Sequence, residues 1–374
     1  MLSSLSLGAV HTLLLKQDGT VLAAGANTFG QLGIDSKRHM MITSFVVVST
    51  TVQAVAAGSG HSVLLKRDGS VWSSGMNMDG QLGDGSNTHR AGFVRVIDID
   101  AKAVVAGAGH TLVLMKDGSV QATGCNLHGQ LGDGSITSKN SFLPVIFRGV
   151  QAVAAGHEHS IALMQDGSVW LTGENNRGQL AHRSGQPKRS FFQTISSGVT
   201  AIAAGSHHSM VLKEGGNVWT TGDNEYGQLG DGSTSVQKTF VQVLSSKATA
   251  IAAGYDHSIV LKQDGSVWTT GRNNFGQLGN VSKSSTSTFV QVISSGIQVV
   301  AAGDWHSMVV KDDGSLWATG ANPYGQHGDG SKASKKMFVE VLLPAGACFT
   351  GYVFPEFAVG LVRSRVSSFA IILH

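Results

Sequence analysis

A segment of about 49 residues occurs seven times in succession in this chain of 374 residues. One histidine marks the same position in every copy, at His11, His61, His110, His159, His208, His257 and His306. Phenylalanines keep almost the same step, at Phe45, Phe93, Phe142, Phe191, Phe240, Phe289 and Phe338. The copies fill residues 1–343 and leave an apolar segment without repeat character at 344–374. Such a period predicts structural units that bury their hydrophobic faces against one another.

Every copy contains four short segments whose composition is typical of β-strands. Their consensus patterns are VxAVAAG, HSxxLL, SVWxxG and FVxV. Apolar residues alternate in the second segment, as expected of a half-buried strand. An Asp-Gly pair follows that segment in every copy except the fifth, as in Asp68-Gly69. This pair predicts a hairpin with a type I′ turn, in which both central residues have positive φ.

Four strands in each of seven units predict an all-β fold, a seven-bladed β-propeller with four antiparallel strands per blade. Radial repetition protects the edges of such sheets. An open solenoid is the alternative, but it would require polar capping units at both ends. We therefore expect a closed ring over residues 1–343, with the first and last units adjacent. The sequence leaves open which strand is innermost.

The overall composition excludes several classes of protein. Two cysteines, Cys125 and Cys348, are too few for a disulfide framework or a thiolate metal cluster. The net charge of +3 is accompanied by no long basic block, so the sequence gives no strong nucleic-acid signal. We find no signal peptide and no uncharged apolar run of spanning length, and we expect no membrane span. The expected location is cytoplasmic, with the nucleus as the alternative.

The repeated residues are interpreted as scaffold, not as catalytic groups. Each histidine lies in a different blade, too far from the next to share a metal ion, and we expect a buried imidazole bonded to backbone. The glycines of GxNxxGQLG lack the lysine and the helix of a phosphate-binding loop. No nucleophile, base and orienting group can be placed together. We predict no catalytic, cofactor-binding or metal-binding residue, no cofactor, and no enzymatic activity.

Variation between the copies indicates where a binding site could lie. The two residues before each scaffold histidine are small in the second and third copies and large or charged in the fourth to seventh. Because loops on a rigid scaffold carry binding sites, we predict that these residues face solvent and contact a partner. They are His157, Glu158, His207, Tyr255, Asp256, Asp304 and Trp305. Unselected surface variation remains the alternative.

The fourth copy adds one further candidate. It reads GQLAHRSGQPKRS where five of the other copies keep GQLG and the seventh reads GQHG, and this departure makes Arg183 a candidate contact. A second variable set flanks the asparagine of GxNxxG; its recurrent aromatic residues are expected to cover the blade. Its members are Phe29, Asp79, His128, Arg177, Tyr226, Phe275 and Tyr324.

The composite pattern GxxHS…DGxVWxxGxNxxGQLGDG resembles the repeat of the regulator of chromosome condensation family across all seven copies. The resemblance implies a seven-bladed propeller. It also implies protein partners, because the family includes an exchange factor for the GTPase Ran and propeller regions of ubiquitin ligases. The expected function is a non-catalytic protein–protein interaction scaffold, with a small GTPase or a ubiquitin-pathway component as possible partners.

The alternative function is that of a guanine-nucleotide exchange factor for a small Ras-like GTPase. In the family's founding member this activity resembles displacement of nucleotide by a projecting wedge. The nearly constant step between copies leaves no room for a long inserted wedge, and this regularity favours the scaffold.

Overall fold

A computed structural model, which describes residues 2–146 and 148–343, confirms the all-β fold. Seven sheets each contain four antiparallel strands that are consecutive in sequence, as expected of a seven-bladed propeller. The segment at 344–374 lies outside the described residues, so its predicted separation from the propeller stays a prediction. Among the described residues, the only helical element is a single 3₁₀ turn, Glu214–Gly216, in the fifth blade.

The four strands of a blade run from the centre of the ring to its rim. The first strands are β1 (Leu2–Leu7), β5 (Val52–Ala57), β9 (Ala101–Ala106), β13 (Val150–Ala155), β17 (Val199–Ala204), β21 (Ala248–Ala253) and β25 (Ile297–Ala302). The second strands are β2 (His11–Lys16), β6 (His61–Lys66), β10 (His110–Met115), β14 (His159–Met164), β18 (His208–Lys213), β22 (His257–Lys262) and β26 (His306–Lys311). The third strands are β3 (Val21–Ala26), β7 (Val71–Gly75), β11 (Val120–Gly124), β15 (Val169–Gly173), β19 (Asn217–Gly222), β23 (Val267–Gly271) and β27 (Leu316–Gly320). The fourth strands are β4 (Met41–Ser49), β8 (Arg90–Ile97), β12 (Lys139–Ile146), β16 (Lys188–Ile195), β20 (Gln237–Leu244), β24 (Thr286–Ile293) and β28 (Lys335–Val341).

The first strand of each blade is the innermost, because the first strands of neighbouring blades contact one another around the centre. Their alanines fit this crowded position. The glycine that follows each first strand is crowded as well: a Cβ on Gly254 would lie 2.5 Å from the carbonyl oxygen of Gly303 in the next blade. Apolar clusters fill the space between neighbouring blades, and one of them joins Ile202 of blade five to Leu163 of blade four.

The scaffold histidines form a closed ring of hydrogen bonds between blades. Each imidazole is fully buried, and its Nε2 lies 2.8 to 3.3 Å from the Ser or Thr hydroxyl beside the next histidine. The ring closes from His306 to Thr12 at 3.3 Å. The expected bond from imidazole to backbone was therefore wrong. The correct partner is a hydroxyl of the neighbouring blade, which the repeated pattern in a single unit does not reveal.

These hydrogen bonds fix the protonation of the imidazoles. Each hydroxyl donates its only proton to the backbone carbonyl of the glutamine in a GQ pair, as Ser258 does to Gln228 at 2.7 Å. The histidine Nε2 must therefore be the donor to that hydroxyl oxygen. Burial lowers the pKa of both His208 and His257 to about 3, and the pKa values of His159 and His306 lie well below the usual value. These four imidazoles are neutral at physiological pH.

The GxNxxGQL segments are folded by their own amide side chains. In blade three, Asn126 Oδ1 accepts the backbone N–H of Leu131 at 3.0 Å, and Gln130 Oε1 accepts that of His128 at 3.0 Å. The same two bonds occur in all seven blades. This motif therefore builds a rigid loop at a fixed place on each blade, and it leaves the two residues between Asn and Gly free to vary.

The Asp-Gly hairpins are present, but their turns are not type I′. Only the glycine has positive φ, as at Gly19 with φ +88°, whereas Asp18 does not. The N–H of Gly19 bonds the carbonyl of Lys16 at 2.9 Å, and Asp18 Oδ1 accepts the N–H of Thr20 at 2.8 Å. This is a three-residue loop ending in a glycine bulge, in which the aspartate stabilises the turn through its side chain and needs no positive φ.

The ring closes between blades seven and one with the contacts that join other neighbours. A β-bridge pairs Ser44 with Asp329, as Ser141 pairs with Asp84 elsewhere in the ring. One apolar cluster includes Leu5 of blade one and Val309 of blade seven. These contacts exclude the open solenoid. Within residues 2–343 no strand from one end of the chain enters a sheet of the other end.

Candidate functional site

Two of the connections in each blade lie at the same end of the propeller. Because the strands are antiparallel and consecutive, the loop after the first strand and the loop after the third strand share one end. We call this end the loop face. The predicted partner-binding residues that precede the scaffold histidines lie on it, and so do the GxNxxGQL loops.

An inner ring surrounds the central channel at the loop face. It consists of the residues that directly follow each innermost strand and its glycine. Four of the seven are alanine or serine in blades one, two, three and five; the other members are His157, Tyr255 and Asp304. Together with the neighbouring glycines they line a shallow cavity.

Three variable positions meet outside this ring at each seam between blades. The residue before a scaffold histidine accepts, through its carbonyl, the backbone N–H of the residue before the GxN asparagine, at 2.7 to 2.9 Å. The third position belongs to the GxNxxG loop of the preceding blade. We call each set a seam triad; the seven triads are Phe29/Gly60/Met76, Asp79/Gly109/Cys125, His128/Glu158/Glu174, Arg177/His207/Asp223, Tyr226/Asp256/Arg272, Phe275/Trp305/Ala321 and Tyr324/Val10/Ala26.

The structure brings the two predicted aromatic residues into contact. The rings of Tyr255 and Trp305 stack with centroids 4.6 Å apart, and Phe275 meets Trp305 edge-on at 5.8 Å. The guanidinium of Arg272 lies 4.8 Å from the Trp305 ring and 4.5 Å from the Tyr226 ring. All of these aromatic side chains remain half-buried or exposed. We call this group the aromatic cluster; it offers a preformed flat surface beside the channel.

Asp256 does not face solvent as the sequence pattern predicted. It is 4% exposed, and its carboxylate pairs with Arg272 at 3.2 Å. Burial raises the pKa of Asp256 to about 6, although the neighbouring guanidinium of Arg272 opposes this shift. The correction has a physical reason: the Arg272 side chain folds over the loop, and a pattern confined to the residues before the histidine omits it. Asp256 positions Arg272 and is not itself an open contact.

Asp304 differs from Asp256 because it has no cationic partner. Within residues 2–146 and 148–343, no side chain forms a hydrogen bond or an ion pair with its carboxylate. Burial raises its pKa to about 6, and the neighbouring imidazole of His157 opposes this shift. A desolvated carboxylate without a partner is costly, and a cation from outside would relieve that cost.

A histidine-rich group continues the site toward blade four. The rings of His157 and His207 lie 5.8 Å apart, and His157 meets Tyr255 at 5.9 Å. The imidazole of His157 lowers the pKa of Glu158, whose carboxylate lies 3.8 Å from His157 Nδ1. These side chains are half-buried because they pack against one another. Through the contact of His157 with Tyr255 they form one continuous surface with the aromatic cluster.

Arg183 lies apart from the other candidates. Its side chain is exposed in the loop between β15 and β16. It forms no hydrogen bond or ion pair with any other described side chain. The hydrogen bonds of this loop are local, such as that from the Asn175 side-chain Nδ2 to the backbone carbonyl of His182 at 2.8 Å. Its role in binding therefore stays a prediction of the sequence.

The loop face is more acidic than the chain as a whole. Its inner ring and seam triads contain more carboxylates than guanidinium groups, although the whole chain has a net charge of +3. The carboxylates are Asp79, Glu158, Glu174, Asp223, Asp256 and Asp304, and the guanidinium groups are Arg177 and Arg272. Two of the carboxylates are paired with these arginines, Asp223 at 3.8 Å and Asp256 at 3.2 Å. A partner with basic residues would complement this face.

A family profile described as the RCC1-like domain matches this sequence at residues 2–239 and again at 140–353. These overlapping matches span nearly all of the chain. It belongs to the RCC1-like domain family. The comparison with curated proteins found no match.

Solved structures resemble this RCC1-like domain along most of its length. The crystal structure of human WBSCR16 is 26% identical, with 83% of this chain and 86% of that chain covered and a TM-score of 0.75. Prp20p from Saccharomyces cerevisiae, described with its binding to Gsp1p and histones, is 20% identical, with 88% of each chain covered and a TM-score of 0.78. Yeast RCC1 (Prp20) bound to Kap60 is 19% identical, with 88% and 85% covered and a TM-score of 0.78.

Two residues of the candidate site in this RCC1-like domain were missed in the sequence. Arg272 and Glu174 occupy the position before the GxN asparagine, which the other copies fill with Ala, Met, Cys or Asp. This variation was visible in the repeat alignment, and it has the same form as the variation before the histidines. No helix in the described part of the RCC1-like domain has the length and hydropathy needed to cross a membrane.

Proposed function

We propose that this RCC1-like domain is a non-catalytic protein-interaction module whose loop face binds a basic segment of a partner protein. The observation that supports this most directly is the unpaired Asp304 carboxylate beside the stacked rings of Tyr255 and Trp305. The partner would be a small GTPase or a ubiquitin-pathway component. The cytoplasm is the proposed compartment, with the nucleus as the alternative.

The chemistry of the cluster favours an arginine or lysine side chain as the anchor. A guanidinium or ammonium group from the partner would pair with the Asp304 carboxylate, which forms no ion pair with a described side chain of this chain. Its planar or aliphatic part would pack on Tyr255 and Trp305, as Arg272 already does on the other side of Trp305. Stacked aromatic rings and charged pairs in a small, partly desolvated patch are typical of interface hot spots.

Capture experiments with paired variants test this proposal. The double variant Tyr255→Ala/Trp305→Ala is expected to weaken binding of the main captured protein by at least about 30-fold, because the loss of even one hot spot costs about 2 kcal/mol or more. Immobilised full chain serves as bait, captured proteins are quantified by mass spectrometry, and the affinity of the main one is then measured directly. Asp304→Asn should weaken binding of the same partner. This loss of affinity should be smaller when basic residues of the partner are replaced.

Two controls separate recognition from folding. Tyr324→Ala removes another exposed aromatic side chain from a seam triad that lies outside the aromatic cluster, and it should leave the affinity within about twofold of the wild type. The variant Tyr255→Phe/Trp305→Phe keeps ring packing and should retain most of the binding. Unchanged affinity in the double-alanine variant, with an intact melting curve, would place the interface elsewhere and direct attention to Arg183.

The second candidate function, nucleotide exchange, is supported by the structural likeness to Prp20p, a protein described as binding Gsp1p. We expect no exchange activity, because the repeat step leaves no long insertion between described strands of the loop face. The assay measures release of a fluorescent guanine nucleotide from a Ran-type GTPase with and without the full chain. The release rate should stay within about twofold of the intrinsic rate, whereas acceleration by orders of magnitude would replace the scaffold with the exchange factor.

A further inference from the structure

The seam between blades three and four has a side-chain composition unlike that of the other six seams. Here His128 of blade three lies between Glu158 and Glu174 of blade four. Its Nδ1 contacts Glu174 Oε2, and its Nε2 lies 3.6 Å from Glu158 Oε1. One nitrogen of His128 and one oxygen from each glutamate lie within 4.8 Å of one another. No other group of three His, Cys, Asp or Glu residues in the described part of the chain is as tightly gathered.

The surrounding loop holds these donors in place. Glu174 is 5% exposed, and its Oε1 accepts the backbone N–H groups of Asn175 at 3.0 Å and Asn176 at 2.8 Å. Its other oxygen, Oε2, is thereby directed toward His128. The backbone N–H of His128 is held by Gln130 Oε1 at 3.0 Å. Hydrogen bonds of this kind orient a ligand before a metal ion arrives.

A fourth donor stands beside the three. His157 Nδ1 is buried, makes no hydrogen bond and lies 3.8 Å from Glu158 Oε1. The propeller scaffold does not require this arrangement, because the positions equivalent to Glu174 and His157 are alanine in blades one and seven and in blades one and three, respectively.

We propose that His128, Glu158 and Glu174 bind a divalent transition-metal ion such as Zn²⁺, with His157 as the fourth donor. Imidazole and carboxylate ligands suit Zn²⁺, whereas Mg²⁺ and Ca²⁺ take oxygen ligands alone. The two carboxylates balance the charge of the dication. In a tetrahedral Zn²⁺ site the ligand atoms lie about 3.3 Å apart, so donor atoms that are up to 4.8 Å apart need to close by up to about 1.5 Å. Side-chain rotation of the half-buried Glu158 provides that adjustment.

A metal ion at this place would connect the loops of two blades next to the partner-binding surface. It would cross-link the GxNxxG loop of blade three to both loops of blade four. It would also fix His157, whose ring contacts Tyr255 at 5.9 Å. The competing explanation is a protonated His128 that pairs with both carboxylates without any metal, and the experiment distinguishes the two.

Calorimetric titration of the full chain with ZnCl₂ at pH 7.5, after removal of metals with a chelator, tests the site. We expect one equivalent to bind with micromolar or tighter affinity. Co²⁺ in place of Zn²⁺ should give the visible absorption of a site with nitrogen and oxygen ligands. Glu174→Gln and His128→Gln should each weaken Zn²⁺ binding at least about 100-fold, because each removes a ligand. The new glutamine is similar in shape to the side chain that it replaces, so the loop stays folded.

Asp223→Asn is the matched control, because Asp223 occupies the position of Glu174 in the next seam triad. It should bind Zn²⁺ with the affinity of the wild type, and melting curves without metal establish that every variant is folded. Absence of saturable binding to the wild type would overturn the proposal and leave the protonated ion pair. Equal affinity in the wild type, Glu174→Gln and His128→Gln would overturn it as well, since the ion would then be bound elsewhere. Neither result bears on partner capture through Asp304 and Trp305, so the two proposals fail separately.

Discussion

The free energy of unfolding is expected to fall by about 5 kcal/mol when the pH is lowered from 7.5 to 5. Burial holds the pKa of His208 and His257 at about 3 in the folded chain, and it holds those of His159 and His306 well below the usual value. In the unfolded chain a histidine titrates near pH 6.5. Below that pH the histidines therefore bind protons in the unfolded chain but not in the folded chain. Stability is highest above pH 6.5 and declines as the pH falls toward the folded values.

The size of the effect follows from the same difference. At pH 5 each fully buried neutral histidine costs about 2 kcal/mol relative to pH 7.5. Asp256 and Asp304 act in the opposite direction, since burial raises their pKa values to about 6 and the folded chain gains protons there as the pH falls. Each of these two carboxylates stabilises the folded chain by about 1 kcal/mol at pH 5 relative to pH 7.5. The histidines outnumber these carboxylates, so the net change remains a loss.

Denaturant midpoints at the two pH values measure this loss, with tryptophan fluorescence as the probe. His208→Gln, which can still donate a hydrogen bond to Ser258, should have a smaller pH dependence than the wild type by about 2 kcal/mol. His39→Gln is the control, because it removes an exposed histidine that takes no part in the buried ring. Equal midpoints at pH 7.5 and 5 would contradict the neutral state of these four buried histidines.

Gly254→Ala is expected to destabilise the fold by about 3 kcal/mol, a large cost for one added methyl group. The new Cβ would collide with the ring of His257 and would lie 2.5 Å from the carbonyl oxygen of Gly303. It would therefore push the imidazole away from its 2.9 Å hydrogen bond to Ser307 and separate two innermost strands. Well-packed interiors relax little around such an insertion.

Gly92→Ala is the matched control for that variant. Gly92 lies in β8, where an added Cβ meets nothing within 4 Å and φ is not in the left-handed region. Its stability should stay within about 0.5 kcal/mol of the wild type. Thermal and denaturant unfolding at pH 7.5 compare the two variants. A Gly254→Ala chain as stable as the Gly92→Ala chain would show that the blades are packed less tightly than the contacts around Gly254 indicate.

The repeat was sufficient to predict the blades, because a copy such as that around His208 contains the local patterns of all four strands. It could not predict which groups meet between blades. The hydrogen bond from His208 to Ser258 joins residues that are 50 positions apart and that belong to different copies. Such a contact depends on the rotation between neighbouring units, and a pattern read within one unit does not contain that rotation.

The candidate site was predicted only in part for the same reason. Tyr255 and Trp305 were chosen because they interrupt the repeat, and the structure places them in contact. Arg272 lies on a different loop, and its approach to Asp256 and Trp305 follows from the seam geometry. Exposure was also misjudged at Asp256, because a loop position was equated with solvent contact although a long neighbouring side chain covers it.

The way the ring closes has a consequence for motion within the molecule. Every seam contains an apolar cluster and a hydrogen bond from a scaffold histidine to the next blade, but within the described residues the chain itself crosses all seams except that between blades seven and one. Contacts alone, such as that between Gly330 N–H and the Thr43 carbonyl at 2.8 Å, hold this seam shut. Separation there interrupts no covalent connection and keeps both flanking sheets intact. The propeller is therefore expected to open locally at the seam between blades seven and one, while the other seams only bend.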